Sequence, residues 1–192
     1  MPRTASTSGA RSIKRVVTAS FLGTALETYD LYLYGTASAL IFSQIYFPNY
    51  DPAVALLLSL STFAVSFIAR PLGAVVFGHF GDRLGRKNTL YVTLLVMGLS
   101  TVAVGLLPTY HTIGVAAPAI LVVLRFLQGF GFGGEYSGAV LMIAEHAPAA
   151  KRGFYSGLNN IGPAVGFISS TGIVMLTAAV MSEQNFLSWG WR

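Results

Sequence analysis

The sequence predicts an all-α integral membrane protein with five transmembrane helices, and two observations support this. Only 10% of the 192 residues are charged, while 54% are hydrophobic. A soluble domain carries about 25% charged residues because its surface is wetted. The charges are also unevenly placed, since Asp, Glu, Lys and Arg are absent from 31–50, 52–69, 88–124 and 153–182. Runs of this length suit helices that cross a bilayer, which need roughly 20 mostly apolar residues each.

The run 88–124 is too long for a single crossing, and turn-forming residues such as Pro108, Gly114 and Pro118 interrupt it. Dividing it there yields the predicted spans, which occupy 16–46, 53–80, 88–108, 115–146 and 153–181. Strands of a membrane barrel are not expected, because the segments are too long and lack the alternation of apolar and polar residues.

The placement of Lys and Arg predicts the orientation in the membrane. Nine of these residues lie in 1–15, 81–87 and 147–152, whereas the opposite connections carry only Arg192. Because positive charge accumulates on the cytoplasmic side, the N-terminal tail 1–15 is expected in the cytoplasm and the chain in the cell membrane. The net charge of +5 then reflects loops beside anionic lipid, and no nucleic-acid partner is expected.

Nothing in the sequence indicates an enzyme or a cofactor. The chain has no cysteine, which excludes a disulfide framework, a thiolate nucleophile and a Cys-ligated metal site. The three histidines, His79, His111 and His146, fall at or near the ends of predicted spans on both sides. We therefore expect no enzymatic activity, no metal and no bound cofactor.

Five ionisable residues fall inside the predicted spans. They are Glu27, Asp30, Arg70, Arg125 and Glu135. Each costs about 2.5–3.5 kcal/mol at a helix centre on insertion scales, so such groups face one another or a polar cavity rather than lipid. In the first span, Glu27 and Asp30 are spaced i, i+3, i+7 with Tyr34, which places the three residues on one helical face.

A second polar stripe lies in the fourth span, where Arg125, Gln128 and Glu135 fall within about 80° of one another around the helix axis. With all five interior groups ionised, three negative charges face two positive charges. A proton bound to one carboxylate would relieve the cost of burying it, so the pattern predicts a proton site. The alternative that these charges are fixed ion pairs between helices stays open.

The connection between the second and third spans reads GHFGDRLGRK at 78–87. Its glycines allow close backbone approach or positive φ. The segment resembles the signature loop of the major facilitator superfamily, in which a glycine, two positions and a small residue precede Asp-Arg, one position and Gly-Arg-Lys. The resemblance implies a role in gating the cytoplasmic side for a set of residues that comprises Gly78, Gly81, Asp82, Arg83, Gly85, Arg86 and Lys87.

The fourth span contains RFLQGFGFGG at 125–134, whose glycines allow helices to approach closely. It resembles the fourth-helix motif of the same superfamily, in which an Arg, two positions and Gln-Gly occur together. The resemblance implies that Arg125, with Gln128, takes part in proton coupling. The fifth span has Gly162-Pro163 and Gly166, a partial match to the antiporter motif, but Phe167 replaces its second glycine and antiport is not inferred.

Longer segments narrow the resemblance. TALETYDLYLYG at 24–35, SFIARPLGAVVFGHFGDRLGRK at 66–87, RFLQGFGFGGEYSGAVLMIAEHAP at 125–148 and LSWGWR at 187–192 are similar to the metabolite:proton symporter family. That family includes shikimate, α-ketoglutarate, citrate and proline/betaine transporters. Its members have twelve helices in two six-helix halves with the substrate between them. The resemblance implies that 16–192 forms an incomplete six-helix N-terminal half, which is not expected to transport without the missing C-terminal half.

The implied function is proton-coupled symport of a small polar metabolite, a carboxylate or zwitterion, driven by the proton gradient. The implied partners are the metabolite, protons and the lipid bilayer. The candidate proton or substrate residues are Glu27, Tyr29, Asp30, Tyr34, Arg70, Arg125, Gln128 and Glu135. Two other functions stay open: a membrane scaffold or assembly protein in which the charges join helices, and an oligomeric ion or proton channel.

Overall fold

The computed structural model describes residues 6–148, 151–182 and 185–192, which form helices and turns without a strand. Helix α1 continues through a π-helical turn into α2, and a second π-helical turn lies near the end of the chain. The elements are α1 (Ser6–Ala37), the turn Ser38–Phe42, α2 (Ser43–Tyr46), α3 (Pro52–Leu84), α4 (Arg86–Leu106), α5 (Tyr110–Ile113), α6 (Ala116–His146), α7 (Arg152–Asn159), α8 (Ile161–Val180) and the turn Phe186–Gly190.

Short sequence signals set the helix boundaries. The Asp51 carboxylate accepts a 3.0 Å hydrogen bond from the Ala53 backbone N–H, and Pro52 occupies the first position of α3. Both are typical of a helix start, because the first N–H groups of a helix have no partner within it. Gly85 (φ 91°) separates α3 from α4, and Gly114 (φ 61°) precedes α6. Residues with a Cβ rarely adopt these conformations.

Three predicted boundaries differ from the helices. Helix α1 begins at Ser6, within the predicted tail 1–15. Helix α3 continues to Leu84, so most of the predicted connection 81–87 is helical. The fifth predicted span is divided at Asn160 between α7 and α8. Pro163 explains this break, because it has no N–H to donate one turn back to Asn159.

Among the described residues, three helical segments are long and apolar enough to cross a membrane. They are Pro52–Arg83, Ala116–Gly133 and Gly153–Val180. A fourth apolar segment, Tyr91–Leu106, is shorter. The described residues thus confirm the prediction of an all-helical protein with helices suited to span a membrane, and the predicted count of five spans stays a prediction.

The chain divides into two compact units, and one of them contains Met1–Tyr32 and Ser137–Ile173. Within it, a Cβ added to Gly162 would lie 3.0 Å from the Phe21 carbonyl oxygen, and one added to Gly166 would collide with the Ala25 carbonyl. From the first of these contacts to the second, the residue number rises by four in both helices, so α1 and α8 run in the same direction. The two glycines therefore allow direct contact between the backbones of these helices.

The other unit contains Leu33–Tyr136 and Val174–Arg192. Here a Cβ on Gly129 would collide with the Ser66 carbonyl, and one on Gly133 would collide with the Arg70 carbonyl. Between these two contacts the residue number again rises by four in both helices, so α3 and α6 are also parallel. A chain that crosses a membrane in alternating directions requires its second and fourth spans to be parallel, as these helices are.

Aromatic residues form the core at one end of this second unit. Phe42 contacts Tyr34, Tyr46 and Trp191 edge-on, with ring centroids 5.0–5.3 Å apart. The Tyr46 hydroxyl donates a 3.4 Å hydrogen bond to the Leu107 carbonyl. Such edge-to-face contacts stabilise a core beyond the area they bury. They hold the end of α1 against its neighbours and so position Tyr34.

We expect Gly129→Ala to lower the free energy of unfolding by about 1–3 kcal/mol, because its methyl group meets the α3 backbone, which cannot rotate away. Thermal unfolding in detergent and abundance in the membrane measure the effect. Gly98→Ala is the matched control, because nothing lies within 4 Å of its added Cβ. Equal stability of the two variants would contradict the close contact of α3 and α6.

Candidate functional site

The second unit contains a set of polar side chains in contact with one another, four of them buried, here called the Arg125 cluster. It comprises Tyr34, Thr62, Thr101, Arg125 and Gln128. The exposed fraction is 3% for Tyr34, 4% for Arg125 and 6% for Gln128. Tyr34 on α1 and Arg125 and Gln128 on α6 were predicted from sequence, and the structure brings these three residues together. Polar groups buried in an apolar helix bundle must satisfy one another, so the contacts of the cluster determine what it can do.

The Arg125 side chain has two contacts that orient its guanidinium. Its Cζ atom lies 3.0 Å from the centroid of the Tyr34 ring, and its Nη1 donates a hydrogen bond to the Gln128 Oε1. The aromatic face attracts the cation, and the attraction increases when water is excluded. Arg125 and Gln128 are three residues apart on α6, a spacing that brings side chains together on a helix. The charge is therefore held between a ring and an amide oxygen.

Hydrogen-bond directions in the cluster follow from the hydroxyl groups. The Thr62 hydroxyl donates to the Ser59 carbonyl at 2.7 Å. It also lies 2.7 Å from the Tyr34 hydroxyl. A threonine hydroxyl has one hydrogen, so Tyr34 must be the donor in its bond to Thr62. Ser59 in turn donates to the Ser38 carbonyl at 2.7 Å.

The same reasoning applies on α4. The Thr101 hydroxyl donates to the Met97 carbonyl at 3.1 Å, and it accepts a 2.8 Å hydrogen bond from the Gln128 Nε2. Sequence reasoning missed Thr62 and Thr101. Their only signal was a hydroxyl within an apolar span, and such hydroxyls commonly bond their own helix, as the Ser61 hydroxyl does with the Leu57 carbonyl.

Arg70 occupies a different environment from Arg125. Its Cζ lies 4.3 Å from the centroid of the Phe67 ring and 3.8 Å from that of the Phe132 ring. The guanidinium thus contacts aromatic residues of both α3 and α6, close to the Gly133 contact. Pro71 follows within α3, which continues through it.

The remaining predicted interior residues fall elsewhere. Glu27, Tyr29 and Asp30 belong to the first unit, where each is half-buried on α1. Glu135 is on α6, but its side chain lies outside the described part of the structure. The grouping of these carboxylates with the Arg125 cluster therefore stays a prediction.

The segment 78–87 has three different glycine environments. Gly85 has the positive φ that the turn between α3 and α4 needs. Gly81 is buried, and its added Cβ would lie 3.8 Å from the Thr89 hydroxyl oxygen, whereas Gly78 faces open space. Asp82 and Arg83 are exposed on the last turn of α3. The side chains of Arg86 and Lys87 lie outside the described residues.

Comparison with known proteins identifies the family. A family model described as "Sugar (and other) transporter" matches residues 16–192. The chain belongs to this transporter family. The predicted resemblance to the major facilitator superfamily is thereby confirmed, and the chain is a transporter-family protein rather than an enzyme.

Curated relatives of this transporter-family chain come from bacteria. An inner membrane metabolite transport protein (YhjE) of Escherichia coli K12 is 50% identical over 94% of the chain and 41% of that protein's length. The shikimate transporter of the same organism is 48% identical over 93% of the chain and 41% of its own length. The proline/betaine transporter of the same organism is 42% identical over 94% of the chain and 36% of its own length. The chain thus spans about 40% of the length of these relatives.

Solved structures of transporters share the fold. The chain resembles the inward-open xylose transporter XylE of E. coli with a TM-score of 0.74, 19% identity, and coverage of 93% of this chain and 43% of that one. A second structure shows the proton:xylose symporter XylE bound to 6-bromo-6-deoxy-D-glucose. Its TM-score is 0.77 at 19% identity, with coverage of 95% of this chain and 41% of that one. The transporter-family chain therefore has the major facilitator fold over this region.

We expect Thr62→Val to lower the free energy of unfolding by about 1–3 kcal/mol, because the buried Tyr34 hydroxyl loses its acceptor. Thr62→Ser retains the hydroxyl and is expected to recover most of this loss. Ser61→Ala is the control, since it removes an exposed hydroxyl that donates to its own helix. Thermal unfolding of the purified chain in detergent is the measurement, and equal effects of Thr62→Val and Ser61→Ala would contradict a stabilising hydrogen bond between Thr62 and Tyr34.

Proposed function

We propose that the chain is part of a secondary active transporter that couples proton entry to the uptake of a small carboxylate or zwitterion. One observation carries the proposal: a buried guanidinium is held in a defined orientation in a chain that belongs to a transporter family. Ionisable residues inside membrane spans are expensive and mark substrate or ion pathways. The names of the relatives, which include shikimate and proline/betaine transporters, support the same class of substrate.

In this proposal Arg125 attracts the negative charge of the substrate. A guanidinium is permanently charged and presents a planar fork that matches a carboxylate in two parallel hydrogen bonds. Tyr34 and Gln128 hold the fork in place and line its surroundings. Arg70 and Tyr29 are secondary candidates for substrate contact.

The proposed proton carrier is one of the carboxylates Glu27, Asp30 and Glu135. Carboxylates in an apolar span are neutralised readily, so uptake of a proton and binding of a substrate can be linked through their charge. The segment that includes Asp82 and Arg83 is proposed to gate the cytoplasmic side. Transport is proposed to need a second half that moves against this one.

We expect the Glu27→Gln and Asp30→Asn variants to retain normal abundance in the membrane. We expect one of the two to reduce proton-driven uptake at least tenfold, because a carboxylate inside a span marks an ion pathway. The assay uses the complete product of the reading frame that contains these residues, in proteoliposomes with and without an inward proton gradient. The probes are radiolabelled shikimate, proline and glycine betaine. Asp51→Asn is the matched control, because Asn also caps a helix N-terminus.

The alternatives give different results in this assay. A scaffold predicts low abundance of both variants and no uptake by the wild type. A channel predicts conductance without substrate. Wild-type protein that takes up none of the probes under a proton gradient, while being abundant and folded, would argue against proton-coupled transport of this substrate class.

The proposed orientation places the N-terminus in the cytoplasm. Because the chain has no cysteine, single cysteines can be introduced without background. We expect a membrane-impermeant maleimide to label Asn49→Cys in intact cells and to label Asn88→Cys only after permeabilisation. Both positions are exposed, Asn49 just before α3 and Asn88 in the first turn of α4. The reverse labelling pattern would overturn the orientation.

A further inference from the structure

Thr101 has a hydrogen-bonding position that its packing does not require. Its side chain is exposed on α4, so the residue does not fill the core. Its hydroxyl hydrogen already has an acceptor in its own helix, the Met97 carbonyl. Nevertheless, its oxygen accepts the hydrogen bond from the Gln128 Nε2 at 2.8 Å. The bond joins α4 to the buried polar side chains of α6.

The direction of this bond determines how the Gln128 amide is turned. A glutamine side chain has an acceptor oxygen on one side and a donor NH₂ on the other. Because the hydrogen of Thr101 is directed to Met97, Thr101 offers only an acceptor, and the NH₂ side of Gln128 must face it. The oxygen of the amide then faces Arg125, to which it is bonded. A reversed amide would direct N–H donors at a guanidinium, which has no acceptor.

We infer that Thr101 is a positioning residue, which sets the orientation of the Gln128 amide and thereby holds the Arg125 guanidinium over the Tyr34 ring. Thr101 need not touch the substrate to have this role. The inference rests on the proposed function only for its effect on transport. The effect on the conformation of the Arg125 cluster is independent of what the protein transports.

The test is a double-mutant cycle between Thr101 and Gln128. Thr101→Val keeps the shape of the side chain and removes the acceptor, while Thr101→Ser keeps the acceptor. Gln128→Met keeps the length of the side chain and removes the N–H donor without adding an acceptor for the Thr101 hydroxyl. If Thr101 acts by orienting the amide, Thr101→Val has a large effect when residue 128 is Gln and little effect in the Gln128→Met background.

Initial rates of uptake are measured on the complete product of the reading frame with shikimate, proline and glycine betaine. We expect Thr101→Val to lower Vmax/KM about tenfold, as for loss of one hydrogen bond to a buried partner. Thr101→Ser is expected to restore it to within about twofold, and Ser61→Ala to leave it unchanged. In the Gln128→Met background, Thr101→Val is expected to change Vmax/KM by less than about twofold.

The same cycle is measured by thermal unfolding of the purified protein in detergent, which needs no substrate. Coupling between Thr101 and Gln128 in unfolding, with stability recovered in Thr101→Ser, supports the inference. This holds even if the wild type takes up none of the probes, because that result would count only against the proposed function. Additive effects of Thr101→Val and Gln128→Met in unfolding would overturn the inference. If the wild type takes up a probe but the effects of the two substitutions on unfolding are additive, the inference is overturned and the proposed function stands.

Discussion

The burial of one permanently charged group constrains the rest of the second unit. A guanidinium in an apolar bundle is tolerated only where nearby groups compensate its lost hydration. The Arg125 cluster provides an aromatic face from α1 and an amide oxygen from α6. Each of these groups is itself held by a threonine on a further helix. The charge therefore ties together four helices, and replacement of one partner is expected to affect the others.

Direct backbone contact at glycines makes this arrangement possible. At Gly129 and Gly133, helix α6 lies against α3 with no side chain between them, and at Gly131 it lies close to α4. Since α6 also contains Gln128, its close approach to α4 brings the Thr101 hydroxyl within hydrogen-bond distance of the Gln128 amide. In the first unit, Gly162 and Gly166 bring α8 against α1 in the same manner. Small residues thus govern the distances at which the polar side chains meet.

Much of the helical plan was predictable from the placement of charges. Runs without Asp, Glu, Lys or Arg have few alternatives to long apolar helices, and Pro108 and Gly114 show where the chain turns. The break at Asn160 was missed because its cause, Pro163, lies within an apolar run that was read as one span. Helix α3 also extends past Gly78 and Gly81, because a glycine inside a helix need not end it.

The candidate site was predictable only in part. Helical spacing grouped Arg125 with Gln128 because both are on one helix, and it found Tyr34 through its position relative to Glu27 and Asp30. It could not predict that the Tyr34 ring contacts the guanidinium, because that depends on the distance between helices. Thr62 and Thr101 were not predictable at all. A threonine within an apolar span gives no sign of whether it bonds only to its own helix or also to another.

The hydroxyl groups of the Arg125 cluster also bear on how protons move. Tyr34 donates to Thr62, which donates to Ser59, while Gln128 donates to Thr101, which donates to Met97. Both relays end on backbone carbonyls, which neither take up nor release protons under physiological conditions. A proton wire needs a titratable group at each end. Neither of these two series of hydrogen bonds therefore ends on a group that takes up a proton, in keeping with the proposed proton carriers Glu27, Asp30 and Glu135, which are not members of the cluster.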